Sequence, residues 1–152
     1  MLASSLRLRG YQRALADHGI ALDPTLIADG DWSLSVAQSL TAQFLSRPAP
    51  PTAIFCASDR MAIGSYEALA GAGRHIPDDI SIVGFDNDPV AQHLSPSLTT
   101  IYVPHAEMGR KAVDYLLDRY EGREPEQLSG IVTLPCPLLD RGSVASALAP
   151  VI

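Results

Sequence analysis

Clustered positive charge is what this sequence has least of. Its 11 Lys and Arg stand against 17 Asp and Glu, a formal net charge of −6 at pH 7. Nucleic-acid phosphates are held by grouped Lys and Arg. The single basic group, Arg7, Arg9 and Arg13, is too short for a duplex footprint, so any DNA contact would have to come from a segment outside this chain. Apolar runs stay well short of the ~18–20 residues that a membrane span needs, which excludes a membrane partner of that kind. The same three arginines interrupt the first apolar stretch, so no secretory h-region is expected and a cytoplasmic address is the default. Cysteine is scarce: Cys56 and Cys136 lie in apolar, strand-like runs. They read as two free, buried thiols rather than a disulfide. His18, His75, His93 and His105 lie far apart with no metal-ligand spacing, so neither metal nor cofactor is expected.

What is present describes a globular domain. The chain has 152 residues, 47% of them hydrophobic and 18% charged, enough for one ordinary domain. Leu6, Leu8, Tyr11, Ala14 and Leu15 recur at helical spacing, which predicts a helix from Ser4 or Ser5 to His18 with Gly19 as its C-terminal cap. Thr25–Ala28 reads as a short edge strand. Ser33 can cap a helix whose apolar face is Leu34, Ala37, Leu40, Phe44 and Leu45, and the prolines after Arg47 end it. Thr52–Ala57 and Ile80–Phe85 are continuous apolar runs, the pattern of strands buried on both faces of a parallel sheet. Between them Arg60–Ala72 forms a helix capped by Asp59, and a right-handed crossover joins the two strands. Leu98–Val103 is a third strand, and Pro104 opens a helix to about Tyr120. Ile131–Leu139 contains Pro135 and Pro137, which confine it to an edge or a crossing segment. The tail from Ser143 is expected to fray.

Two polar clusters lie just beyond the predicted buried strands. Ser58-Asp59 follows the first, and Asp86-Asn87-Asp88 follows the second. Open α/β sheets bind small polar ligands outside the carboxyl ends of their strands. The layout therefore predicts a ligand pocket there.

The segments RLRGYQRAL, GDWS, PTAIFCASDRMAIGSYEAL, IPDDISIVGFDN, PSLTTIYVP, EMGRKAVDYLL and LPCPLLDRGS follow one another from Ser4 to Ser143. In order and spacing they resemble the LacI/GalR family of transcription regulators. The resemblance implies an α/β fold, a parallel sheet flanked by helices, of the periplasmic-binding-protein-like type I lobe, here truncated. It implies a small-molecule effector, most simply a sugar, bound in a cleft between two such lobes, and operator DNA bound by a helix-turn-helix head that this chain does not contain. On the same basis residues 1–100 correspond to the C-terminal lobe without its first strand. Residues 101–127 correspond to a return into the N-terminal lobe, and residues 128–152 to a crossing strand and tail. A sheet lacking that strand leaves an edge unpaired, which favours self-association.

Asp86 is the leading effector-binding candidate. A carboxylate at a strand end can accept hydrogen bonds from two adjacent hydroxyls, and the block GFDN resembles the family's effector-contacting aspartate. A loop aspartate bonded to its own backbone is the alternative. Arg7 resembles the arginine that the family's first helix sends into the cleft, and its fork can donate to hydroxyl or carboxylate oxygens. The alternative is a solvated helix face or an ion pair, and Arg9 competes for the same role. Trp32, the only tryptophan, offers a flat ring to the apolar face of a sugar or to a base, with plain packing as its alternative. Ser58 stands where the family often places a small polar group facing ligand. Asp59 reads first as a helix cap and second as an effector contact. Met61, Ala62, Ile63, Ser65, Tyr66 and Leu94 resemble the family's homodimer interface, with packing on the chain's own sheet as the competing reading.

Two other functions compete with a regulator. A periplasmic-type solute-binding protein shares the lobes but carries an export signal. An enzyme would use Asp86-Asn87-Asp88 as a metal-holding D-x-D, yet no phosphate-binding Gly-rich loop, nucleophile elbow or paired His accompanies it. No catalysis is expected.

Overall fold

The apolar runs form a sheet, although the first, expected to be buried on both faces, lies at the sheet's edge with Ala53 and Phe55 exposed. The strands are β1 (Ala53–Phe55), β2 (Ser81–Asp86) and β3 (Thr99–Tyr102), followed by the short β4 (Leu138–Leu139). The computed structural model describes residues 2–123 and 131–146. It pairs β1 with β2 and β2 with β3 in parallel, and β3 with β4 antiparallel, in the order β1-β2-β3-β4. Prolines 135 and 137 lack the N–H that a ladder requires, so only the two residues after them join the sheet.

Four helices accompany the strands: α1 (Leu2–Asp17), α2 (Leu34–Leu45), α3 (Asp59–Gly71) and α4 (His105–Tyr120). Ser33 caps α2 as its sequence predicts, with its hydroxyl accepting from the Val36 amide. Gly19, Gly73 and Gly122 take positive φ just beyond α1, α3 and α4, where a side chain would be strained. Helix α3 connects β1 to β2 and packs on both the sheet and α2. The core it shares with the sheet comprises Cys56, Ala62, Tyr66, Leu69, Ile80, Ile82, Ala91 and Leu98. Gly64 makes the α2–α3 contact close: a Cβ there would lie 2.1 Å from the Leu34 carbonyl oxygen. Beside it Thr41 and Ser65 join their hydroxyls at 2.9 Å, so neither buried oxygen is left without a partner.

Several expectations need correction. Residues 25–28 form no strand. Instead Pro24–Leu26 is a 3-10 turn, because the Asp23 carboxylate accepts from both the amide and the hydroxyl of Thr25, and no described strand lies alongside to offer ladder bonds. The cap of α3 is Ser58, whose hydroxyl accepts from the Met61 amide, rather than Asp59. Cys56 is buried as expected, but Cys136 is exposed, since only Leu138 and Leu139 of the proline-rich segment carrying it join the sheet. Part of the tail predicted to fray lies outside the described residues, as do 124–130.

Helix α4 exposes its apolar side. Val113 is 54%, Leu116 64% and Tyr120 90% exposed, and no residue of the helix is buried. Residues 101–146 reach the rest of the chain chiefly through β3, β4 and Arg141–Ser143. Ser143 is wholly buried. Its hydroxyl donates to the Ile82 carbonyl at 2.6 Å and accepts from the Thr99 amide at 2.8 Å, tying the C-terminal segment to both β2 and β3.

Candidate functional site

The carboxyl ends of β1 and β2 converge with the first two turns of α1. Arg7 is directed from α1 across these strand ends, where its guanidinium donates to the Ala57 carbonyl and, at 3.1 Å, to Asp86 Oδ1. The same cation lies 3.7 Å from the centroid of the Phe85 ring and 5.1 Å from that of Trp32. A guanidinium is weakly hydrated and stacks readily on aromatic faces, which is why it can be held here at 18% exposure. Three predicted effector contacts, Asp86, Arg7 and Trp32, are thus brought together. Asp86 remains 32% exposed, so its carboxylate is open to a ligand hydroxyl from the solvent side.

The backbone at this site is unusual. Asp86 and Asn87 take φ of 109° and 57°, and Asp31 and Trp32 take 47° and 53°. Non-glycine residues at positive φ persist where their surroundings over-determine them. For Asp31 and Trp32 the support is a closed turn: the Ser33 amide donates to the Gly30 carbonyl at 2.9 Å and the Asp31 amide to Asp29 Oδ1 at 3.0 Å, while Met61 packs beneath Gly30. Beneath Asp86 the support is Asp59. Its carboxylate accepts from the Asp88 amide at 2.7 Å and from the Thr100 hydroxyl at 2.6 Å. Burial pushes the Asp59 pKa up, and these two hydrogen bonds oppose the shift. Thr100 in turn accepts from the Asn87 amide at 3.4 Å.

Ser58 and Asp59 are therefore the floor of the site rather than its lining: both are buried, with oxygens committed to the cap and to the turn. The predicted interface residues divide in the same way. Ala62, Ser65 and Tyr66 are buried in their own chain, the last with its hydroxyl donating to the Pro96 carbonyl. Met61 packs under Gly30. Ile63 and Leu94 are partly exposed.

Sequence pattern alone does not mark Phe85 or Arg141 as site residues. Phe85 reads as a strand residue, yet its place beside Asp86 puts its ring at the strand end. Asp86 and Asp88 hold different partners: Asp88 accepts from the Val90 amide and caps the 3-10 turn Pro89–His93. A cavity of about 500 Å³ lies beside this cluster, not over it. It is bounded by α1, α2, residues 26–32 and the outer edge of β1; it touches Arg7 and Trp32 but not Asp86. Its walls, including Leu8, Leu40, Phe44 and Ile54, are mainly apolar.

A family profile described as a periplasmic binding protein-like domain matches residues 2–144. The chain belongs to that family. Within it, the chain is similar to part of several transcriptional regulators, among them a regulatory protein of the LacI family. It is 43% identical over 137 residues to the HTH-type transcriptional repressor CytR of Escherichia coli (strain K12), covering 90% of this chain and 40% of that repressor. The transcriptional regulator CelR in its cellobiose complex superposes with a TM-score of 0.83 at 33% identity, over 94% of this chain and 43% of that one. The lac repressor dimer bound to operator and the anti-inducer ONPF gives 0.84 at 32% identity, over 96% and 49%. The chain therefore spans about 40% of the length of the CytR it matches. These relatives are regulators rather than enzymes, which favours the regulator reading over the solute-binding one. No helix among the described residues is long and apolar enough to cross a membrane.

Proposed function

We propose that this chain forms one wall of an effector cleft in a cytoplasmic, homodimeric transcription regulator, and that the effector is a sugar. The observation that carries this is the Arg7 guanidinium set between the Asp86 carboxylate and the Phe85 and Trp32 rings. A carboxylate and a guanidinium side by side accept from and donate to neighbouring hydroxyls, and flat rings beside them cover the apolar face of a pyranose or furanose. The cellobiose complex of the CelR relative is consistent with this chemistry.

In this reading Asp86, Arg7 and Trp32 contact the effector, with Ser58 and Asp59 beneath them. Residues 1–100 act as one lobe, residues 101–127 return to a second lobe, and residues 128–152 cross back. The exposed apolar face of α4 fits that return, because it would be covered by the second lobe. Operator DNA is bound by a head outside this chain, and effector binding biases the head through differential affinity for two global states. Ile63, and the part of Leu94 that does not pack against the core, remain available to a second copy.

Calorimetry and thermal shift with ribose, cellobiose, ribose 5-phosphate and adenine test this. A sugar should raise the melting temperature of the 152-residue chain, and Asp86→Ala should abolish the rise. Loss of hydrogen bonds to a charged group costs roughly 1.5–3 kcal/mol, or about 10- to 150-fold in Kd. Binding of adenine alone, or sugar binding that survives Asp86→Ala, would overturn the assignment.

A further inference from the structure

Asp86 presents its carboxylate from a backbone conformation that few non-glycine residues adopt, and Asn87 follows it in the left-handed region. Two consecutive positive-φ residues relax unless something holds them. From the sheet side, Asp59 holds the Asp88 amide and, through Thr100, the Asn87 amide. These bonds fix the main chain after Asp86 but leave the Asn87 side chain without a partner on that side.

Arg141 supplies it. Its Nη2 donates to Asn87 Oδ1 at 2.7 Å and its Nη1 donates to the Leu98 carbonyl at 2.7 Å. Its own amide donates to Thr99 Oγ1 at 2.9 Å. One planar fork thus bridges the turn after β2 to the residue that precedes β3, with its base pinned to β3. Such a bridge fixes an angle as well as a distance, which a flexible ammonium would not do. The residue that braces the turn is 54 positions along the chain from Asn87 and follows α4.

We propose that Arg141 is a positioning residue for Asp86, acting through Asn87 to hold the turn in its effector-receiving conformation. The proposal rests on the sugar-cleft reading for its functional consequence, but the brace itself can be measured without a ligand. The C-terminal crossing segment is then part of the recognition machinery rather than a tether.

Amide hydrogen exchange in the ligand-free 152-residue chain decides the matter. Arg141→Met should lower protection at Asn87 and Asp88 by about tenfold or more, the size expected for one charge-assisted hydrogen bond, while Ile82 and Gly84 in β2 keep theirs. Asn87→Gly removes the acceptor yet accepts the same positive φ, so it keeps the test open if Arg141→Met folds poorly. In that background Arg141→Met should add little further loss at residues 87 and 88, because both changes break the same Asn87 contact; its bond to the Leu98 carbonyl is lost in either background. Arg141→Lys should recover protection only in part. Unchanged protection at residues 87 and 88, additive losses, or a uniform loss across β2 and β3 would each overturn the proposal. Cellobiose titration of the same variants reads the consequence, a Kd raised about tenfold in Arg141→Met. Failure of the unsubstituted chain to bind any sugar would count against the cleft reading, whereas the exchange result would still decide the brace.

Discussion

Gly64→Ala should destabilise the chain, against the ordinary preference of a helix for alanine. A Cβ at position 64 would lie 2.1 Å from the Leu34 carbonyl oxygen and 3.0 Å from the Gln38 amide nitrogen. A carbon meets a carbonyl oxygen at roughly 3.3 Å, so α2 and α3 would have to part by about 1 Å. The obstacles are backbone atoms of α2, which cannot rotate aside as a side-chain end would. Overpacking of this kind costs about 1–3 kcal/mol, and the rigid obstacle places it near the upper figure. Replacing glycine by alanine inside a helix returns about 1 kcal/mol. The net loss of about 2 kcal/mol corresponds to a fall of roughly 4–8 °C in melting temperature for a chain of this size. Gly71→Ala, in the same helix with nothing within 4 Å of its Cβ, should leave the melting temperature unchanged or raise it slightly. Thermal unfolding of both variants at two protein concentrations is the assay. A Gly64→Ala chain as stable as the parent would refute the close α2–α3 contact. It would also return the small residues of α3 to the surface as a subunit contact, which concentration-dependent melting would then reveal.

The two thiols should separate cleanly under native labelling. Cys56 is buried and its thiol is pushed up to about 11 by that burial, so N-ethylmaleimide should modify Cys136 promptly and Cys56 only on unfolding; equal native rates would contradict the packing. Asp59 gives a pH signature. Its folded pKa is raised above 3.8 by burial, so between 3.8 and that folded value the native state binds more protons than the unfolded one and stability falls as pH rises. Asp59→Asn should therefore lack this decline, and melting curves from pH 3.5 to 7 that run parallel for the two chains would exclude it.

The sheet could be read in the sequence because its signals are local. Apolar runs at Ile80–Phe85 and Leu98–Val103 have few ways to be satisfied other than as parallel strands, and the serine before Leu34 has the geometry of a cap wherever that helix forms. Thr25–Ala28 shows the limit of such signals. Its residues suit a strand, but a strand requires a neighbour, and no described strand flanks it. A proline at position 24 and a carboxylate one residue earlier then settle the segment as a turn. Ser58 and Asp59 show a second limit. Either residue can cap α3, and the choice was decided by Thr100 and the Asp88 amide, groups that offer Asp59 better partners than the helix does. That contest is tertiary, so propensity could not arbitrate it.

The site itself divides along the same line. Asp86, Arg7 and Trp32 could be picked out because each carries chemistry that needs a reason to sit where it does. Arg141 carries equally strong chemistry but sits in a segment whose fold is set by its prolines, and nothing nearby in sequence asks for a guanidinium. Its role follows only once β3 and β4 pair antiparallel and bring Arg141 beside Asn87, just past the end of β2. The demand for it arises at Asp86 and Asn87, where two residues other than glycine occupy positive φ. Asp and Asn tolerate that region better than most, and a glycine pair would adopt it with less strain. Glycines would leave the turn mobile and without its carboxylate. A carboxylate held in a strained turn therefore requires bracing from elsewhere, and the strength of that bracing sets how much of the binding free energy is lost to ordering the site when a ligand arrives.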